Sequence, residues 1–474
     1  MDRLIKLSLF LSLHIFLVGK IVGQQYDLGQ CIEFAIDNSL QLQQANLNVR
    51  NSEISQQLAI ESRFPSLNIT SSLGGNFGRT IDPTTNTFVV SSLYTNGFSL
   101  NSGFVLYNGN RINNTIKQAR IEADVARKER DQSLNDLSLA VAQAYLNLLL
   151  AFDNYEAAQV NLELTREQLD QTRKLVEAGA LPLADLLEVE SQLALNEQEI
   201  VTANNNIVLG RLELKQLMFM QPDETLEIVR PDLESELEVP IINPSEVFNA
   251  ALQTQPQVTA SELRIESALK EEEIAKSRWY PTISTFVQLN TNYSSIARTP
   301  SGFDIVQSPP TPVIIDGETS VIQFFQEVPT FDNQPYFDQL DRNLGVGVGI
   351  QISLPLYNNG QTRLGVERAR LGKYASDLEL EQTKLQLKND VERSVADANA
   401  AWQTLMASNK ALRAAERVLQ DAGNRLAAGV INSFEYTNAK TRYDNAVINQ
   451  LLAKYEYIFR LKVIDFYLGK PIRL

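Results

Sequence analysis

The chain alternates between two hydrophobic periods. Apolar positions first follow the three-and-four spacing of a helix, over 31–62 near the start and over 245–278 in the second half. Each segment ends before a proline, Pro65 or Pro281, a residue that stops a helix. The spacing then changes to two, and later it returns to that of a helix. The pattern therefore predicts the order helix, β-hairpin, long helix in both halves.

Two β-hairpins are predicted, at 66–107 and 281–357. Apolar residues occupy every second position, and small or polar residues stand between them, as in Leu67, Ile69, Leu73 and Phe77 against Asn68, Thr70, Ser72 and Asn76. Alternating segments of about 10–12 residues are typical of outer-membrane barrel strands. An ordinary half-buried antiparallel sheet alternates in the same way. The strands alone therefore favour neither interpretation.

Two very long helices are predicted, at 111–176 and 363–426. Neither segment contains a proline, and in the first the apolar or small residues recur at steps of three and four from Leu134 to Val176. This spacing is the seam of a left-handed coiled coil. At 1.5 Å per residue, each helix would extend roughly 100 Å.

Each long helix stops at an Ala-Gly pair, within 177–183 and within 427–433. Glycine at this position favours the left-handed conformation that ends a helix. A further helix is predicted after each break, at 184–220 and 434–468. Each half should therefore contain a helix–turn–helix tip.

The repeated order indicates an internal duplication. Pro65 aligns with Pro281 at an offset of 216 residues, and Gly179 aligns with Gly429 at an offset of 250. The larger second offset places an insertion in the second hairpin. We therefore expect a first loop at 79–96 and a longer, proline-rich loop at 294–343.

These landmarks divide the chain. Residues 1–23 are expected to be a secretory signal peptide, because basic residues precede an apolar run of about 12 residues, too short to span a membrane. The first repeat would then cover 24–222 and the second 245–474. An acidic linker at 223–244 would join them at the equator of the helical part.

Charge and composition exclude several classes of function. The net charge is −15, so a nucleic-acid partner is not expected. The only histidine, His14, falls in the expected signal peptide, which leaves no imidazole for a catalytic triad or a metal site. The only cysteine, Cys31, is interpreted as a buried helix residue. We expect no enzyme activity, no cofactor and no metal site.

Four predicted strands cannot close a barrel by themselves. An open sheet edge cannot face lipid, and single-chain barrels begin at about eight strands. Three copies would supply twelve strands and twelve helical staves, whereas two copies would enclose a lumen filled by side chains. The small and polar strand face favours an open lumen. The expected fold is an α+β membrane protein, in which a trimeric α-helical coiled-coil barrel continues a transmembrane β-barrel with four strands per chain.

In this order and duplication, the chain resembles the TolC family of outer-membrane efflux proteins. The resemblance covers essentially the whole expected mature chain. Its most telling motifs are the segment at 31–35 that opens the first helix, the turns into the long helices, and the two Ala-Gly tips. The turn residues are Tyr107, Asn108 and Gly109 in the first half and Tyr357, Asn358 and Gly360 in the second. We interpret these turns as structural, because Asn-Gly allows a sharp change of direction.

The resemblance implies a location and partners. The protein would be a homotrimer in outer-membrane lipid that extends into the periplasm. A periplasmic membrane-fusion adaptor would connect it to an inner-membrane pump of the RND, ABC or MFS type. It would then be the passive exit duct of a tripartite efflux or type I secretion system. The alternative, an exported periplasmic coiled-coil adaptor or scaffold, explains the helices but not the four alternating strands.

The resemblance also assigns roles at the tips. Adaptor contact would involve the tip residues Ala178, Gly179, Leu181, Ala428, Gly429 and Ile431. The periplasmic gate would be an acidic collar at the positions six and nine residues after each tip glycine, which here are Asp185, Glu188, Glu435 and Asn438. An alternative is that these residues are solvated helix-start acids that complement the helix dipole.

One position departs from the family pattern. The resemblance implies an arginine two residues after the second tip glycine, which would lock the closed gate by pairing with acids. This chain has Ile431 at that position. The nearest basic residues are Arg173, Arg425 and Arg442. The lock of the closed state should therefore differ.

Overall fold

The computed structural model describes residues 25–81, 86–221, 223–231, 233 and 242–474. The expected signal peptide at 1–23 and, within the expected linker at 223–244, residues 232 and 234–241 lie outside the described residues. In chain order the elements are β1 (Gln25–Tyr26), α1 (Leu28–Asn38), α2 (Leu40–Glu61), β2 (Ser66–Ile81), β3 (Phe88–Tyr107), α3 (Arg111–Glu177), α4 (Leu183–Met218), β4 (Glu227–Ile228), α5 (Pro244–Thr254), α6 (Pro256–Ser277), β5 (Thr282–Ser294), β6 (Arg298–Gln307), β7 (Thr311–Ile315), β8 (Glu318–Ile322), β9 (Phe325–Asn333), α7 (Tyr336–Arg342), β10 (Gly345–Ser353), α8 (Gln361–Ala427) and α9 (Ser433–Tyr467).

The helices of the two halves match in length. Helices α1, α2, α3 and α4 have 11, 22, 67 and 36 residues. Helices α5, α6, α8 and α9 have 11, 22, 67 and 35 residues. The two long helices lie where the apolar spacing places them, and each is followed by a short break and another helix. Both halves are therefore built on one plan.

The sequence pattern is wrong in treating the first helix of each half as continuous. The backbone leaves the helix at Gln255, within the segment predicted as one helix at 245–278, and at Ser39 in the first half. Gln255 is followed by Pro256, whose ring disfavours a helical residue before it. The Ser39 hydroxyl accepts a hydrogen bond from the Leu42 amide at 3.2 Å and thereby caps the second piece.

The chain folds into two compact units. Unit 1 consists of the described part of Met1–Glu53 together with Ile121–Glu266 and Tyr374–Leu474. Unit 2 consists of Ile54–Arg120 and Ser267–Lys373.

The core of unit 1 forms around α3. Tyr145, almost fully buried, donates a hydrogen bond to the Val229 carbonyl at 2.5 Å, next to the point where β1 and β4 pair in parallel. Cys31 is fully buried there, and burial raises the pKa of its thiol to about 12. Other members of this core are Leu28, Ala35, Val141, Leu148, Leu149, Leu214, Met218 and Ile458.

Among the described helices, α3 is apolar enough over one 18-residue stretch to cross a membrane by length and composition, and 50% of that stretch is buried inside the protein. The same helix supplies the centre of the unit 1 core. Its apolar character therefore has an ordinary explanation in packing.

Unit 2 is built on a four-stranded antiparallel sheet in the order β10-β5-β3-β2. Directly paired residues share one face of a sheet. The register therefore sorts the predicted alternation into one apolar face and one small or polar face. One row across the sheet reads Val346, Leu289, Leu100, Ile69, and the next row reads Gly345, Asn290, Ser99, Thr70.

The first hairpin has the predicted bounds, 66–107, but its strands are longer than the sequence suggests. Strands β2 and β3 have 16 and 20 residues, and together they include most of the loop predicted at 79–96. The ladder continues as far as the pair Ile81 and Phe88, because each further pair satisfies backbone groups that a loop would leave to water.

The expected loop at 294–343 is also wrong as a loop. It contains four strands and a helix: β6 pairs with β9, β7 pairs with β8, and α7 follows. The turn of the outer hairpin uses Asp316 and Gly317, both with positive φ, which suits the twist of paired strands. This insertion leaves the sheet at the end opposite the strand-to-helix junctions.

Candidate functional site

The two tips have the same backbone structure. Gly179 and Gly429 have φ values of +72° and +70°. At the first tip the Gly179 amide donates to the Val176 carbonyl, and the next amide donates to the Leu175 carbonyl. The second tip repeats both bonds, from Gly429 to Leu426 and from the following residue to Arg425. These two backbone hydrogen bonds form the Schellman motif, which ends a helix with a left-handed residue.

The helices that follow the tips begin differently. The side chain of Asn432 accepts a hydrogen bond from the Glu435 amide at 3.0 Å and caps α9. Pro182 stands at the matching position before α4 and supplies no side-chain cap. Asp185 and Glu435 both occupy the third helical position, where a carboxylate also complements the helix dipole.

One cleft in unit 1 brings the two tips together. It has a volume of about 880 Å³ and is lined by residues of both helical hairpins. Of the predicted site residues, its lining includes Leu181, Asp185, Gly429, Ile431 and Glu435. Asp185 is half-buried and Glu435 is exposed. The cleft therefore assembles acids and apolar tip residues that are some 250 residues apart in the sequence.

The remaining predicted tip residues do not line this cleft. Glu188 is half-buried and Asn438 is exposed. Ala178, Gly179 and Ala428 are exposed at the turns themselves. A side chain added at either tip glycine would meet no atom within 4 Å in the single chain.

Two basic residues near the tips pair with acids outside the predicted gate. Arg173 lies 3.7 Å from Glu190, and Arg425 lies 3.8 Å from Asp421 on its own helix. Among the ion pairs of the described residues, none joins these arginines to Asp185 or Glu435. Ile431 contributes to the cleft lining.

The sequence pattern does not predict a buried ion pair that lies near the second tip. Lys440 and Asp444, one helical turn apart on α9, are 2.8 Å apart, and their side chains are only 3% and 15% exposed. Burial raises the pKa of the Asp444 carboxyl, and Lys440 partly opposes that rise. The Oδ1 atom of Asp444 is buried without a hydrogen-bond partner. The spacing of four residues was visible in the sequence, but exposed pairs have the same spacing.

The strand-to-helix junctions of unit 2 are equivalent residue by residue at the offset of 250. Asn108 and Asn358 accept backbone hydrogen bonds from Arg111 and Gln361, the first residues of the long helices. The next two residues have positive φ at both junctions: Gly109 and Asn110 in the first, Asn359 and Gly360 in the second. Tyr107 and Tyr357, which precede them, are exposed.

Gly109 has no room for a side chain. An added Cβ would lie 2.8 Å from the Ser277 carbonyl oxygen and 2.8 Å from Cβ of Tyr280. Gly360 would meet only Cδ1 of Leu364, at 3.9 Å. The first junction is therefore packed against the end of α6, and the second is open.

Within the part of the chain that the structure describes, no three His, Cys, Asp or Glu side chains come together as a metal site. Asp185 and Glu435 share their cleft with a third acid, Glu167, and with amides, hydroxyls and apolar side chains.

Comparisons with known proteins identify relatives with this architecture. The chain is 22% identical over 343 residues to the alkaline protease secretion protein AprF of Pseudomonas aeruginosa, a match that covers 72% of this chain and 62% of AprF. It is 24% identical to the outer membrane protein TolC of Escherichia coli, over 70% of this chain and 61% of TolC. These matches thus span a little less than two thirds of each relative.

The fold is shared with solved channels. One is CusC, whose crystal structures concern the conformational changes that accompany its folding and transmembrane channel formation. It superposes on this chain with a TM-score of 0.76 at 16% identity, over 94% of this chain and 93% of CusC. The family profile described as "Outer membrane efflux protein" matches residues 31–218 and 247–470. The chain therefore belongs to the outer membrane efflux protein family, as its resemblance to the TolC family predicts.

Proposed function

We propose that this protein is a homotrimeric exit duct of the outer membrane, which passively conducts substrates from a periplasmic adaptor and an inner-membrane pump to the exterior. The observation that carries the proposal is the four-stranded sheet of unit 2. Its apolar positions share one face, and the outer edges of β2 and β10 pair with no other described strand.

Such a sheet fits lipid only when other copies close it. Unpaired backbone groups are costly in a bilayer, so a lipid-facing sheet needs a neighbour at each edge. Exposed side chains such as Ile69, Leu73, Val348 and Ile352, each more than 60% exposed in the single chain, then face lipid. Three copies give a barrel of twelve strands, and the small and polar face lines the lumen.

The tips are proposed as the periplasmic entrance. Ala178, Gly179 and Ala428 are exposed on the turns, whereas Leu181 and Ile431 line the cleft between them. Small exposed turns flanked by apolar side chains suit packing against an adaptor helix. The names of AprF and TolC concern secretion and the outer membrane, which supports an adaptor–pump system without identifying the pump as RND, ABC or MFS.

The gate is proposed at the start of the helices after the tips. Asp185 and Glu435 line one cleft in each copy, so three copies would place six carboxylates around the entrance. Glu188 and Asn438 would form a second layer one turn further along. A ring of carboxylates favours cations. The competing role, helix-start acids that only complement the dipole, would leave conduction unchanged on their removal.

Fractionation tests the duct itself. The native chain should stay with outer membranes after carbonate or high-salt washing and should run as a trimer that dissociates on heating. Release by salt would contradict the barrel and support the periplasmic scaffold alternative.

Tip variants test the entrance separately. We expect Gly179→Val and Gly429→Val to abolish efflux, measured as growth with drugs, metal salts or amphiphiles, while trimer and insertion persist. Loss of insertion would make these glycines folding determinants.

The gate is tested by single-channel recordings. Asp185→Asn and Glu435→Gln should reduce cation selectivity, and unchanged selectivity would contradict the acidic collar.

A further inference from the structure

The insertion in the second hairpin forms an arm, defined here as residues 298–333. Its lower part is the ribbon of β6 and β9, and its outer part is the ribbon of β7 and β8. The two parts are joined by a hydrogen bond from the Ser308 amide to the Phe324 carbonyl and by one from the Phe324 amide to the Ser308 hydroxyl. The arm is therefore one continuous two-stranded structure.

The arm has an apolar face, defined by Phe303, Ile305, Phe325 and Phe331. The register places Phe303 beside Pro329, Ile305 beside Glu327, and Phe325 beside Gln307. Alternation along β9 puts Phe331 on the same side. These four side chains are 68%, 69%, 73% and 51% exposed in the single chain. The opposite face has no aromatic residue in β6 or β9 and includes Asp304, Val306, Gln326, Val328 and Asp332.

The base of the arm is fixed to the sheet. The Gln334 amide donates to the Ala297 carbonyl, which closes the ribbon. Gln339 of α7, only 1% exposed, accepts a hydrogen bond from the Ser294 amide at 2.9 Å. Tyr336 hydrogen bonds to Asn96 of β3 and packs its ring 4.8 Å from that of Tyr293. The direction in which the arm leaves the sheet is therefore set by a packed junction.

Charge argues against a lipid surface as the cover of the apolar face. Arg298 is the only basic residue of the arm, against the acids Asp304, Asp316, Glu318, Glu327 and Asp332. Anionic headgroups attract basic segments and repel acidic ones. Prolines in β6, β7 and β9 also make the edges poor templates for an added strand. The face rather than an edge is the available contact.

Geometry favours other copies of the same arm. In a barrel of twelve strands spaced about 4.8 Å apart and tilted about 40°, the wall lies about 12 Å from the axis. The bases of neighbouring arms would then be about 20 Å apart, while ten residues of strand extend about 33 Å. Each arm can therefore reach its neighbours at the external mouth. Asp304 and Asp332, on the opposite face, can remain in water. Glu327 lies beside Ile305 on the apolar face, so its carboxylate must stay in water at the margin of the contact.

We propose that the apolar face of the arm binds the arms of the two other copies, so that three arms are joined above the external mouth of the trimer. This inference rests on the trimeric duct proposed above. The partner is thus a second copy of this chain. The contact would add an interface at the external mouth to a trimer whose barrel is closed by strand pairing.

Adjacent cysteines on opposite faces test the contact. Ile305→Cys lies on the apolar face, and Val306→Cys, its neighbour, lies on the other. A second pair, Phe325→Cys and Gln326→Cys, repeats the comparison on β9. The native Cys31 is buried, and burial raises the pKa of its thiol, so it should not react. Native membranes are treated with a short bismaleimide, and covalent dimers are read on a denaturing gel after heating.

We expect Ile305→Cys and Phe325→Cys to give several-fold more covalent dimer than Val306→Cys and Gln326→Cys. Equal yields from both faces would mean that the arms are merely near one another and would overturn the proposal. Protection of Ile305→Cys from a monofunctional maleimide without dimer formation would show that a different partner covers the face, and free labelling would show that nothing does. Either result overturns the arm contact.

The same gel separates this proposal from the duct. Unheated samples report the non-covalent trimer of each variant. An intact trimer without face-specific cross-linking removes only the arm contact. Absence of the trimer from the native chain itself would remove the duct and the arm contact together.

Discussion

The two halves of the chain share backbone turns more closely than side chains. Gly109 and Asn110 occupy the left-handed region at the first junction, and Asn359 and Gly360 occupy it at the second. The order of glycine and asparagine is exchanged, but the conformation is the same. Comparing the halves therefore separates what a turn requires, which is positive φ, from what its surroundings require, which is space.

The helices after the tips also share their backbone structure but differ in their side-chain contacts. At the offset of 250, Lys440 and Asp444 of α9 correspond to Glu190 and Ala194 of α4. The first two form a buried ion pair, whereas Glu190 makes an exposed pair with Arg173. Equal helix length thus coexists with different polar contacts, and each difference can be tested by exchanging residues between halves.

The largest effect on trimer yield is expected at the first junction. Gly109→Asn keeps a residue type that the second junction accepts at the equivalent position, since Asn359 has φ +52°. The added side chain would meet the Ser277 carbonyl and Tyr280 at 2.8 Å. We expect a loss of about 3 kcal/mol, typical of severe overpacking, and a large drop in the yield of heat-dissociable trimer.

Gly360→Asn is the matched control. Its surroundings are open, and Asn110 already adopts the same conformation at φ +63°. The expected cost is below about 1 kcal/mol. Equal losses in both variants would mean that conformation, rather than space, limits the first junction.

The second effect concerns the buried pair. Lys440→Met leaves the Asp444 carboxylate buried without its cation, a change that costs about 3–5 kcal/mol in comparable pairs. Burial already raises the pKa of Asp444. Loss of Lys440 should raise it further, so the deficit should shrink as the pH falls and the carboxyl takes up a proton. The measurement is the unfolding temperature in detergent between pH 7 and pH 4.

Arg173→Met is the control for this comparison. Its pair with Glu190 is 3.7 Å long, and both side chains are about half exposed, so the expected loss is below about 1 kcal/mol at any pH. A loss as large as that of Lys440→Met would show that exposure does not distinguish the two pairs.

These comparisons show what the sequence could and could not predict. Alternation predicted which strand residues share a face, because the period of two is a property of the strand itself. The tip glycines predicted the helix ends for an equally local reason. Pro256 is a local signal for a break, but the helical pattern continues on both sides of it and predicts one helix. Ser39 carries no such signal, since its role depends on the hydrogen bond that it makes.

The missed parts depend on contacts between distant segments. The cleft between the tips joins residues of both halves, and only folding brings Asp185 and Glu435 to one site. The arm was expected as a loop because prolines interrupt its strands and hide the alternation. The burial of Lys440 is set by the helices around it, so its sequence spacing alone does not distinguish it from a solvated residue.

A smaller effect is expected at the helix start after the second tip. Asn432→Ala removes the side-chain acceptor of the Glu435 amide, which typically costs about 1 kcal/mol. Pro182→Ala, at the equivalent position, removes no side-chain cap and should cost less. Hydrogen exchange should accelerate at the Glu435 amide in the first variant and remain nearly unchanged at Asp185 in the second. Equal acceleration at both sites would remove the cap as the explanation.

The smallest effect is expected at Glu272 of α6, where the equivalent residue in the first half is the neutral Gln56 at the offset of 216. Hydrogen bonds from Lys276 and Arg370, at 2.8 and 3.0 Å, hold the pKa of Glu272 below its usual range. A lowered pKa in the folded state means that this carboxylate stabilises the fold above the unfolded pKa of about 4.3. That stability is lost as the pH falls through the folded value. Glu272→Gln should therefore lower the unfolding temperature slightly at pH 7, by the equivalent of no more than about 1 kcal/mol. The difference from the native chain should shrink as the pH falls toward 3. The exposed neighbour Glu271 supplies the control, since Glu271→Gln should show no such pH-dependent difference. If the loss of unfolding temperature in Glu272→Gln stayed the same down to pH 3, the effect would come from packing rather than from charge.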